Sequence, residues 1–309
     1  MAQNTLLDIV TMNGADGVVG LIEEAHRYHP ELEFGAARTI KGTSYKTLVR
    51  TAVPVGAFRD ANEGAAYVKS TYVNRRFETY IFNPRWKVDK AVADRHEDGA
   101  LALIGQEAEG IVEGALQGLS KQFYYGTETA YGGQAKGFPG LIDAVDSSKV
   151  LDATGSTAVS TSSCWAVKFG AQNVQWLYGA GGDFGMDVPK IETVQDSNSL
   201  DYTAYTQEML AYPGLQVASN LSLGRIHNLT TQAGKMLTDD LLAEFLTLFL
   251  TGRQPDMLLC TRIQLEELRK SRTATNATGE PAPRPDSFMG IPIRTTESLS
   301  DIEAVNYGI

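Results

Sequence analysis

At 309 residues, 43% hydrophobic and 21% charged, the chain has ordinary globular composition, long enough for one large domain or two modest ones. Its formal charge of −10, from 37 acidic against 27 basic residues, argues against a protein whose task is to grip nucleic-acid phosphates. The longest apolar run, around Leu241 to Leu250, is broken by Glu244 and is too short to span a bilayer; with no basic region followed by an apolar stretch, cytoplasmic synthesis is the expectation.

In chain order, Leu6 to Val10 and Val18 to Tyr28 read as short helices, with Pro30 as a stop. Glu33 to Gly42 reads as an extended arm leading into a strand at Tyr45 to Arg50. From Thr51 to Val92 the pattern is extended but irregular. A charged stretch from Gly56 to Gly64 precedes a run rich in Tyr, Val, Thr and Phe from Tyr67 to Phe82, in which both alternating faces mix apolar and charged residues. A long two-stranded projection with a charged tip fits this pattern. A lone hairpin is only marginally stable in water, so such a projection needs a partner surface.

Arg95 to Tyr125 carries the strongest helical signal: Leu101, Ile104, Ala108, Ile111, Ala115, Leu119 and Phe123 recur at steps of three or four. Asp98 and Lys121 suit the two ends of the helix dipole. Gly110, Gly114 and Gly118 recur every fourth residue, and each glycine costs a helix about 1 kcal/mol relative to alanine. A lane of this kind implies a close backbone crossing. Beyond a Ser/Thr/Ala-rich stretch at 146–163, strands are expected near 163–169, 174–178, 186–194, 202–210 and 215–223. Thr238 caps a helix reaching about Leu250, Pro255 to Cys260 reads as a short buried strand, Arg262 to Ser271 as a helix, and Met289 to Thr296 as a last extended piece.

No active site emerges from the residues. In the glycine cluster Gly179 to Gly185, Phe184 occupies the place of the third glycine of a dinucleotide fingerprint, and no phosphate-loop ending follows. His26 and His29, with Glu23 as third ligand, are the one close metal-like grouping, and surface histidines are the simpler reading. Ser162-Ser163-Cys164-Trp165 lacks the glycine elbow of a serine hydrolase. Cys164 and Cys260 are expected as reduced, buried apolar residues. No catalytic residue, cofactor or metal is expected.

The order of these pieces is distinctive. A flexible arm, a charged two-stranded projection and a long helix lead through an aromatic-Gly-Thr turn into Gly137-Phe138-Pro139-Gly140-Leu141-Ile142. A mixed domain follows, with Gln254 to Cys260 inside a helix–strand–helix unit and Phe288 to Thr296 near its end. This order resembles the Hong Kong 97 (Johnson) fold shared by the major capsid proteins of tailed bacteriophages. The resemblance implies an α+β subunit with an N-terminal arm at 1–50, an E-loop at 51–94, a peripheral domain with its spine helix at 95–149, an axial domain at 150–290, and a C-terminal strand and tail at 291–309.

It further implies self-assembly as pentamers and hexamers into an icosahedral head in the virion. That head encloses double-stranded DNA without sequence-specific binding, and no membrane is involved. A scaffolding protein, a portal and decoration proteins are the implied partners. Because the sequence opens without a long helical scaffolding segment, a separate scaffolding protein is the expectation. The E-loop would lie over a neighbouring copy, making Arg59, Asp60, Glu63 and Lys69, together with Arg75 and Arg76, the candidates for intersubunit contact.

Two further expectations follow from departures. The chain stops soon after its Gly-Ile-Pro-Ile motif, so the strand-rich stretch 163–228 is expected to supply a layer of the axial sheet from an earlier place in the chain. Lys69 does not establish the Lys–Asn crosslink made by some relatives, and none is expected. The competing readings are an encapsulin-type nanocompartment shell and a cytoplasmic enzyme with a hidden site.

Overall fold

The computed structural model describes residues 4–13, 24–156, 160–275 and 280–308. A capping box closes the first helix, α1 (Leu6–Met12): Thr5 accepts from the Asp8 amide, and Asp8 accepts from the Thr5 amide. Of the helix expected at Val18 to Tyr28, 18–23 lie outside the described residues and 24–28 are not helical. Pro30 starts a helix, α2 (Pro30–Glu33), where a stop was expected. The fixed φ of proline suits the first helical position, and its missing N–H has no partner to lose there.

Next come β1 (Ala37–Ile40), β2 (Ser44–Ala52), β3 (Thr71–Glu78) and β4 (Arg85–Asp89). β2 and β3 pair antiparallel from Ser44–Glu78 to Ala52–Thr71, with a register shift between Arg50 and Ala52. The paired arm therefore starts earlier in the chain than the expected 51, and β4 belongs to a different sheet. The charged stretch 53–70 is the unpaired loop that closes the hairpin.

After the single turn α3 (Lys90–Ala93) runs the spine helix α4 (Ala100–Tyr125), about 39 Å long at 1.5 Å per residue. It starts at Ala100, five residues later than expected, because Gly99 sits at φ +87° and ends the preceding turn; Asp98 makes no cap. Leu101, expected on the inner face, is exposed, and the packed face begins at Leu103 and Ile104. The crossing expected at the glycine lane is not made by any described residue: a Cβ at Gly105, Gly110 or Gly114 would have nothing within 4 Å, and at Gly118 only the Gln134 side-chain Nε2 at 3.7 Å.

The glycines that do carry close approaches lie past the helix end. Gly126 sits at φ +55°, and a Cβ there would fall 2.2 Å from the Gly140 amide nitrogen, so the chain passes itself backbone to backbone. Gln122 locks this turn: it donates to the Phe138 carbonyl at 2.6 Å and accepts from the Gln134 amide at 2.7 Å. Phe138 is thereby set edge-on against Trp176, with ring centroids 5.7 Å apart. These contacts account physically for the Gly-Phe-Pro-Gly-Leu-Ile motif, which leads into the single turn α5 (Leu141–Ala144).

The remaining strands are β5 (Val150–Asp152), β6 (Ser162–Val167), β7 (Val174–Gly179), β8 (Lys190–Gln195), β9 (Asp201–Glu208), β10 (Pro213–Val217) and β11 (Leu223–Leu229). Then come α6 (Asp239–Thr247), β12 (Met257–Cys260), α7 (Arg262–Ala274), β13 (Ser287–Phe288) and β14 (Ile291–Thr295). The central sheet has the order β13-β14-β12-β6-β11-β5. The stretch 163–228 is divided: its ends, β6 and β11, enter this sheet, whereas β7 pairs with the arm strand β1 on one side and β10 on the other, and β9 pairs with β4 and β8. β11 was not expected as a strand.

The central sheet is covered on both faces, which is why β6, β11 and β12 are buried at every position. One face packs Trp165, Val167 and Leu259 against Phe123, Tyr124 and Tyr125 of the spine helix; the other packs Cys164, Ala166, Ile226 and Leu258 against Phe245 of α6, Phe249 just beyond it, and Leu265 and Leu268 of α7. The two cysteines are free and buried, and burial pushes the Cys260 thiol up to about 12.

Candidate assembly interface

The hairpin has an inner face and an outer face. Tyr45, Thr47 and Val49 on β2 lie opposite Phe77, Arg75 and Val73 on β3. At the root, Tyr45 and Phe77 meet with centroids 5.6 Å apart, and the Arg38 guanidinium lies over the Tyr45 ring at 4.9 Å. Arg75 donates to the carbonyls of Ala218 at 3.1 Å and Val217 at 3.4 Å, tying the hairpin to the body. Residues 53–69 of the closing loop are all exposed. Phe58 and Tyr67 are fully exposed, at 107% and 104%, and Val53, Val55 and Val68 are also exposed.

The six candidate charges fall into two groups. Arg59 donates to the Glu63 carbonyl at 2.6 Å within the loop, and Asp60, Glu63 and Lys69 are exposed beside it. Arg75 and Arg76 lie back along β3. Arg75 faces the body, and Arg76 pairs with Glu78 of its own strand at 2.9 Å. Sequence reasoning passed over the aromatic residues of the loop, although Phe58 and Tyr67 stood in the same stretch. Their exposure was the missing information.

Two buried polar networks tie the ends of the described chain to the spine helix, and neither was foreseen. Arg225 of β11 pairs with Glu303 at 3.1 Å, both side chains 1% exposed. It also donates to Ser163 at 3.0 Å and to the Tyr307 carbonyl at 2.6 Å, and lies over the Trp165 ring at 5.3 Å. Tyr125 donates to the other Glu303 oxygen at 2.7 Å.

On the arm side, Glu31 is fully buried. Tyr124 donates to its carboxyl at 3.2 Å, and Trp176 donates to its backbone carbonyl at 2.9 Å. Burial raises the Glu31 carboxyl to about 7. His29, expected at the surface, is only 8% exposed at its side chain, and its Nδ1 lies 3.8 Å from Glu31. Glu23, the third member of the metal-like grouping, lies outside the described residues. Among the described residues no cluster of three or more His, Cys, Asp or Glu side chains is placed to hold a metal, and no helix is long and apolar enough to cross a membrane.

A chain from the structure of bacteriophage Epsilon15 matches this one with TM-score 0.70 and 20% identity, over 96% of this chain and 95% of that one. More remote likenesses include an encapsulin complex from Synechococcus elongatus (TM-score 0.48, 10% identity, 74% of this chain and 97% of that one) and the capsid of Myoviridae phage XM1 (TM-score 0.48, 9% identity, 68% and 95%). No curated protein matches the sequence. A spine helix packed on a mixed central sheet, with a hairpin projecting from one side, is the Hong Kong 97 fold. The family model of the major capsid protein GP7 matches residues 33–306, and the chain belongs to that family. It is a structural protein of the phage head, a shell built from copies of itself, and family membership decides for the phage head over the encapsulin shell.

Proposed function

We propose that the chain closes its shell by laying the β2–β3 hairpin, as an E-loop, across a neighbouring copy in pentamers and hexamers, with 53–70 as the contacting segment. The observation that carries this reading is the full exposure of Phe58 and Tyr67 on an arm with little core of its own. Burying each ring on a neighbour contributes about 1.5–3 kcal/mol. An exposed ion pair contributes about 0–1 kcal/mol. The rings thus supply strength, while Arg59, Asp60, Glu63 and Lys69 at their margin set register and on-rate. Arg75 and Arg76 act inside the subunit and fix the pose of the arm. The shell encloses DNA without reading its sequence and without catalysis, and it works with separate scaffolding, portal and decoration proteins. Electron microscopy of particles formed by the unsubstituted chain and by Phe58→Ala/Tyr67→Ala tests the reading. Closed shells from the first and unassembled subunits from the second are expected; equal yields of shells would refute it.

A further inference from the structure

The start of α2, from its cap His29 to Glu31, reaches a junction of three chain regions. Glu31 is enclosed by Tyr124 of the spine helix and by Thr296, whose hydroxyl lies 3.5 Å from its carboxyl, in the segment after β14. His29 contacts Ser298 at 3.3 Å and lies 3.9 Å from Glu113 of the spine helix. Its Nε2 is buried without a hydrogen bond among the described residues. Outside this pair, His26 sits 3.1 Å from Glu113, and Arg27 pairs with Glu297 at 3.2 Å. Lys121 of the spine helix adds a positive charge that disfavours a protonated His29. No lysine or arginine forms an ion pair with Glu31 among the described residues, so its buried carboxyl rests on its own backbone N–H, hydroxyls and one nearby imidazole.

We propose that His29 and Glu31 form a pH-responsive clasp that fastens the N-terminal arm across the spine helix and the segment following β14. Burial dominates Glu31, although its own backbone N–H and the hydroxyls of Ser298, Ser120 and Thr296 favour its ionised form. The docked arm therefore favours an uncharged Glu31. This contribution is complete below the ordinary value of 4.5 and is lost as pH rises through about 7. Burial acts on His29 in the opposite sense, lowering its value from 6.5 against the pull of Glu113. That contribution is complete above 6.5 and is lost as pH falls through the lowered value. The two groups thus oppose each other, and on the alkaline side Glu31 works the clasp open.

Hydrogen exchange of residues 26–36 in the full chain, corrected for intrinsic rates, reads the fastening directly across pH 5–9. Glu31→Gln keeps the shape of the side chain and removes its charge. The ratio of arm protection in this variant to that in the unsubstituted chain should grow about tenfold per pH unit between about 5 and 7, then level off. His29→Gln should change the acid side instead. A ratio that stays constant across the range would overturn the proposal. The unsubstituted chain supplies a second test through carboxyl-carbon NMR of labelled glutamate. One carboxyl titrating near pH 7 is expected, and all of them titrating between 4 and 5 would equally refute the clasp.

Discussion

Arg225 and Glu303 hold opposite charges 3.1 Å apart in a site where each side chain is 1% exposed. One sits in the middle of β11 and the other in the segment beyond β14, 78 residues later. Desolvating both charges is costly, and the pair is worth keeping only because Ser163, Tyr125 and the Tyr307 carbonyl satisfy the remaining donors and acceptors.

Replacing Glu303 with Gln leaves the guanidinium buried without its counter-charge. Urea unfolding of the unassembled subunit is expected to show a loss of about 3–5 kcal/mol. Arg225→Met combined with Glu303→Leu removes both charges and should cost less than Glu303→Gln alone. A double variant as unstable as the sum of the singles would contradict this account.

Arg75→Ala removes the donor that ties the hairpin to the Val217 and Ala218 carbonyls. The loss is about 1.5–3 kcal/mol, the range for a hydrogen bond from a charged group, and it falls on the hairpin rather than on the core. Exchange of the β2 and β3 amides should accelerate while the amides of β6, β11 and β12 remain unchanged.

Phe58→Ala/Tyr67→Ala alters two side chains that touch nothing in their own subunit. The melting of isolated subunits should stay within about 0.5 kcal/mol of the unsubstituted value. Shell yield, read by sedimentation, should fall. A large drop in subunit stability would mean that the loop packs on its own chain.

Gly114→Ala places a methyl group where no described atom lies within 4 Å, in the interior of a regular helix. The isolated subunit should gain about 0.5–1 kcal/mol. A shift of the urea midpoint at constant slope is the measurement.

The pieces that were legible in the sequence are those where backbone geometry admits few residues. Gly126 and Gly140 pass at contact distance, and Thr238 caps α6 by accepting from the Leu241 amide; such demands leave glycine or a capping hydroxyl in the text. The periodic half of the spine helix could be read for the same reason. The start of that helix could not, because Leu101 fits the apolar period yet faces solvent. β11 was hidden because Arg225 and His227 make a fully buried strand look half exposed. His29 reads as a surface residue and Glu31 drew no notice, since nothing local announces partners on Ser298 and Tyr124. In the interface the charged residues drew attention through their number, whereas the exposure of Phe58 and Tyr67 is a property of the folded loop and of no short stretch of sequence.

Tyr124 and Tyr125 are consecutive, yet the first holds Glu31 and the second holds Glu303. Residues 300–307 leave the ribosome after the arm, the spine helix and β11. Until they emerge, Arg225 lacks its Glu303 counter-ion and Tyr125 its Glu303 acceptor. The side of the central sheet that faces the spine helix therefore closes fully only once synthesis has passed Glu303.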